Sequence, residues 1–109
     1  MQKLLGKITC AEFGTNEDHP YLMGLKLSFS LEGGSSGIGD GAKYTINISK
    51  SCKWQPEARR EAITELTDNI HSILKDAKVN YVSELKNKPV EVTVEGGLFK
   101  GFRILTEVL

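Results

Sequence analysis

Residues that commonly carry chemistry are scarce in this chain. It has two histidines, His19 and His71, two cysteines, Cys10 and Cys52, and a single tryptophan, Trp54. Neither cysteine belongs to a Cys-x-x-Cys pair and no histidine stands at ligand spacing from one, which excludes a zinc ribbon and a disulfide framework; two reduced, partly buried thiols are expected. His19 sits among Glu17, Asp18 and Pro20, but those groups are consecutive rather than gathered on one face of a helix or strand, so no metal is assigned. No Gly-x-Ser-x-Gly elbow presents a nucleophile, and no spacing among the 14 acids selects a catalytic pair. The chain is read as non-enzymatic and without a cofactor.

An excess of charge of one sign is also missing. Lys plus Arg and Asp plus Glu are 14 each, which cancels the long-range field that draws many nucleic-acid binders to phosphate and leaves only a local basic patch. No apolar run approaches the roughly 20 residues of a membrane span. The opening MQKLLGKITC is broken by Gly6 and Lys7 before it reaches signal-peptide length, so a cytoplasmic protein with no membrane partner is expected. At 109 residues the chain fits one domain, 1–109.

What is present is a change of hydrophobic period along the chain. Residues 3–13 read as a strand with Ile8 and Cys10 on one face and Thr9, Ala11 and Phe13 on the other. The loop GTNEDHP follows, and then Met23, Leu25, Leu27, Phe29 and Leu31 alternate with small or polar residues, the pattern of a strand with one buried face. Glycine-rich residues 32–41 predict a flexible connection, and a third strand places Tyr44, Ile46 and Ile48 inward.

From Pro56 the period becomes 3.6: Ala62, Ile63, Leu66, Ile70, Ile73, Leu74 and Ala77 form one stripe, with Pro56 and Glu57 suited to the first helical turn. Val79, Val82 and Leu85 predict a short second helix or turn. Val90, Val92 and Val94 then lead through Gly96-Gly97 into a hairpin partner with Leu98, Lys100, Phe102, Ile104, Thr106 and Val108 on one face. The expected fold is α+β, an antiparallel sheet of about five strands packed on one long helix.

Two features invite a binding role. Gly37, Gly39 and Gly41 superficially match a phosphate-binding loop, but a strand follows them where a helix N-terminus is needed, so they are read as a connection or as a loop that folds over a ligand or partner. Lys43, Lys50, Lys53, Trp54, Arg59 and Arg60 set an aromatic beside several cations, which could stack a base and pair with phosphate. Trp54 could equally pack beneath the start of the helix.

The pattern Lys53-Trp54-x-Pro56-Glu57, Leu74-x-x-Ala77-Lys78-Val79, Leu85, Lys88-Pro89-Val90-Glu91-Val92-Thr93 and the ending Phe102-Arg103-Ile104-Leu105-Thr106-Glu107-Val108-Leu109 resembles a family of small bacteriophage- and prophage-encoded proteins. The likeness extends more weakly to Gly6-Lys7-Ile8 and the glycine loop; Gln55 departs from the Ser or Thr common before the proline. The family brings no catalytic residues to transfer. The resemblance implies expression in bacterial cytoplasm and an accessory role in which a host protein or small signalling ligand is sequestered. The alternative is a nucleic-acid-binding accessory of phage replication or recombination. Apolar groups on both faces of the first and last strands predict a homo-oligomer.

Overall fold

The computed structural model describes residues 2–32, 37–40, 43–48 and 56–108. Among these, six strands form one antiparallel sheet: β1 (Gln2–Thr15), β2 (Leu22–Leu31), β3 (Ile38–Gly39), β4 (Thr45–Asn47), β5 (Pro89–Glu95) and β6 (Leu98–Ile104). Their order is β3-β2-β1-β5-β6, with β4 also paired to β2. Helix α1 (Pro56–Ala77) begins at the proline and ends where the apolar stripe ends, and short 3-10 turns follow at Val82–Leu85 and Thr106–Val108. The expected α+β class and the long helix are both present.

Two bulges set which side chains reach the core. On β1, Ile8 faces Phe29 and Cys10 faces Ser28, so Thr9 is one residue too many for the ladder. An extra residue reverses the alternation beyond it. Ile8 therefore remains inside, while Ala11 and Phe13 rejoin the face of Leu27 and Leu25, and Cys10 turns to the opposite face. This corrects the expectation that Ile8 and Cys10 share a face.

On β6, Thr93 opposes Gly101 and Val94 opposes Phe99, leaving Lys100 as the extra residue. Phe99 thereby joins Phe102 and Ile104 on the core side, whereas Leu98 remains 65% exposed. Strict alternation had placed Leu98 and Lys100 with Phe102, and had run the strand to the end of the chain rather than to Ile104. A third correction concerns residues 32–41, where Ile38–Gly39 pair with Phe29 and Ser28 as a strand. The Asp40 carboxylate accepts the Leu27 N–H at 2.9 Å, and the Asp40 N–H donates to the Leu27 carbonyl at 3.1 Å.

The sheet is strongly coiled. Between β2 and β6 lie three strand spacings, roughly 14 Å in a flat sheet, yet the Phe29 and Phe99 rings stack with centroids 5.4 Å apart. Phe102 lies 5.0 Å from Phe29, and Tyr44 meets Phe102 edge-on at 6.0 Å, so one aromatic cluster closes the concave face. Ile8, Leu25, Leu27, Leu85, Val90 and Val92 complete the core. The Gly96-Gly97 hairpin has the two positive φ angles, 58° and 77°, that a two-residue connection requires.

Candidate functional site

Helix α1 lies over the concave face and has two flanks of different character. Along one, Asn69, Ser72, Ile73 and Asp76 face Tyr44, Phe102, Arg103 and Ile104. Along the other, Leu66, Ile70 and Leu74, spaced four residues apart on one helical face, look across a gap at Phe13, Tyr81 and Val82. This gap is a groove of about 510 Å³, and His71, Thr67 and Asn80 supply its polar positions. The Thr67 hydroxyl already donates to the Ile63 carbonyl at 2.9 Å.

The stripe predicted on α1 is wider than the described residues cover. Of the helix's residues only Ala77 is buried, and Leu66, Ile70, Ile73 and Leu74 are half-buried. Phe13 is 51%, Ile63 42% and Tyr81 71% exposed. The Thr9 bulge is what aims Phe13 at the helix, and the turn Val82–Leu85, whose Leu85 is fully buried, anchors the wall that carries Tyr81. The Glu84 carboxylate accepts the Tyr81 N–H at 3.1 Å and holds that wall in place.

The residues singled out in the sequence lie elsewhere. Lys43 is exposed in the turn before β4; it borders a small polar pocket with Ala62, Glu65 and Asn69 of α1. Arg59 and Arg60 are exposed one turn N-terminal to that pocket and, like Lys43, form no ion pair among the described residues. Gly39 pairs with Ser28, and Gly37 runs so close to β2 that a Cβ would lie 2.7 Å from the Phe29 carbonyl oxygen. Gly41, Lys50, Cys52, Lys53 and Trp54 fall outside the described residues. The groove was missed because Phe13 was assigned to the wrong face; its signal was the unusual width of the α1 stripe.

The Cys10 thiol donates to Glu12 Oε1 at 3.0 Å; that bond first, then desolvation, pushes its pKa up and keeps it protonated and a poor nucleophile. Burial, reinforced by the Asp40 charge, pushes the Tyr44 phenol up to about 12. Arg103 bridges Glu91 and Glu107 at 3.2 Å each, and its hydrogen bond holds the Glu107 carboxyl below the usual range. His19 Nδ1 lies 3.3 Å from the Tyr21 hydroxyl. No cluster of three or more metal-ligating side chains occurs among the described residues, and no helix among them is long and apolar enough to cross a membrane.

Comparison of the chain with known protein families, curated proteins and solved structures gave no match.

Proposed function

We propose that this chain is a non-enzymatic accessory binding protein of phage or prophage type, acting in the bacterial cytoplasm by sequestering a host protein. The observation that carries the reading is the uncovered groove between α1 and β1, where Phe13 and Tyr81 stand exposed beside Leu66, Ile70 and Leu74. An apolar surface of this kind is stable only in part as a free face, and its burial on a partner releases ordered water. A host protein fits it better than a small signalling nucleotide, because the lining offers no lysine or arginine for phosphate and the groove is open rather than enclosing. Homo-oligomerisation belongs to the same reading; exposed Leu5, Leu98 and Val108, none of which lines the groove, are its contacts.

The test is retention of host material on the tagged protein from nuclease-treated bacterial lysate, beside a Tyr81→Asp variant of equal melting temperature. One stoichiometric host protein, lost in the variant, is the expected result. Retention of nucleic acid only when nuclease is omitted, weakening steeply with salt, would instead support the nucleic-acid accessory reading. That second reading draws on the cations Lys43, Arg59 and Arg60 near one end of α1, which are exposed and form no ion pair among the described residues.

A further inference from the structure

β1 changes partners along its length. On one edge it pairs with β2 from Gly6 to Thr15. On the other edge it pairs with β5 only from Gln2 to Lys7. Just beyond, the Ile8 N–H donates to the Lys88 carbonyl at 3.1 Å and the Ile8 carbonyl accepts the Asn87 N–H at 2.7 Å.

The direction of each later peptide group follows from neighbouring bonds. The Asn16 N–H donates to the Leu22 carbonyl, so Asn16 points at β2. Leu25 donates away from β1 to the Tyr44 carbonyl, and Leu27 bonds away from β1 to Asp40. In an antiparallel ladder these directions alternate. Gly14, Glu12 and Cys10 therefore bond to β2, whereas Thr15, Phe13 and Ala11, the last two opposite Leu25 and Leu27, aim their N–H and C=O groups at the outer edge. That edge has no strand partner among the described residues. It borders the groove, since Phe13 lines it.

We propose that the partner is captured by strand addition. An extended segment of the partner protein pairs with the Ala11–Thr15 edge and places apolar side chains, at every second position, into the groove against Leu66, Ile70, Leu74 and Val82. This deepens the binding reading above and rests on it.

Hydrogen bonding decides between forms of segment. A helix satisfies its own peptide groups, so a helix laid in the groove would cover the outward groups of Ala11, Phe13 and Thr15 without pairing them, leaving each desolvated and unsatisfied. An extended segment pairs them, and its alternation delivers every second side chain to the groove face. A second copy of this chain, pairing β1 to β1 about Phe13, is a poorer occupant. It would bring one large side chain, Phe13, flanked by Ala11 and Thr15, to a groove of about 510 Å³.

The test selects from a displayed library of random segments of about ten residues, longer than a typical strand, against the intact protein, followed by hydrogen exchange of the backbone amides. Selected segments are expected to carry apolar residues at i, i+2 and i+4. Their binding should slow exchange at Ala11, Phe13 and Thr15 and leave Cys10, Glu12 and Gly14 unchanged. Thr15→Pro, which removes one outward N–H at an edge position where proline is tolerated, should weaken binding about tenfold, as one lost hydrogen bond does.

Segments with helical spacing, apolar at i, i+3 or i+4 and i+7 but not at i+2, or binding without protection of those three amides, would overturn strand addition while leaving the groove as the partner site, provided Tyr81→Asp still abolishes binding. Selected segments that Tyr81→Asp does not affect would overturn both. Concentration-dependent protection of the same amides in the protein alone would assign the edge to a second copy and overturn the proposal.

Discussion

The two flanks of α1 share one helix and one sheet, yet one is much more nearly closed: its gap is about 210 Å³, against about 510 Å³ on the other. On the β6 side, Phe29, Tyr44, Phe99 and Phe102 interlock across the coiled sheet, and Ile104 is buried beneath the helix. On the β1 side, Phe13 and Tyr81 stand apart from Leu66 and Ile70 and leave a groove. The first flank holds the fold together, because those rings join strands far apart in the sheet order. The second leaves Phe13 and Tyr81 exposed, the surface on which the proposed partner would bind.

Substitutions across the helix should separate these roles. Phe29 is fully buried at the centre of the aromatic cluster, and Phe29→Ala is expected to cost about 4 kcal/mol in denaturant unfolding. Phe13→Ala, at a half-exposed ring, should cost about 1 kcal/mol or less. Similar losses at both positions would erase the distinction.

Backbone closeness gives the next largest effect. Where β1 passes from β5 to β2, a Cβ on Gly6 would lie 2.1 Å from the Ser30 carbonyl oxygen, a clash only backbone movement can relieve. Gly6→Ala should therefore lose about 3 kcal/mol, whereas Gly39→Ala, with open space around its Cβ, should stay within about 1 kcal/mol.

A smaller effect comes from Tyr44 on the more nearly closed flank. Its folded-state pKa of about 12 lies above the ordinary value of 10.0, so the folded state holds the proton more tightly. The associated stability is complete below pH 10 and is lost as pH rises through 12. Linkage sets it on the order of 2 kcal/mol. Tyr44→Phe should flatten this alkaline loss in urea titrations between those pH values.

Much of the more nearly closed flank is legible in the sequence, and much of the open one is not. Leu25, Leu27 and Phe29 alternate cleanly, and Pro56 and Ala77 bound a single 3.6-residue stripe; both patterns are properties of side chains in order along the chain. The bulges at Thr9 and Lys100 are properties of pairing register, which no run of residues within one strand reveals. Each moves a phenylalanine: Phe99 into the core and Phe13 to the groove. The wall opposite α1 was equally hidden, because Tyr81 gains its place from contacts of the following turn with β1. Gly37 and Gly39 were legible as unusual, but their role in lying close to β2 and pairing with it depends on strand β3.

The groove and the basic end of α1 make opposite demands on a partner, and a single comparison separates them. Capture of host material from nuclease-treated lysate would be measured for Tyr81→Asp and for the double variant Arg59→Ala/Arg60→Ala. Both change exposed side chains, so stability should stay within about 0.5 kcal/mol of the parent. The account predicts that Tyr81→Asp abolishes capture while the double variant retains it. Capture that survives Tyr81→Asp and fails in the double variant would contradict the account and move the binding site to the basic end of the helix.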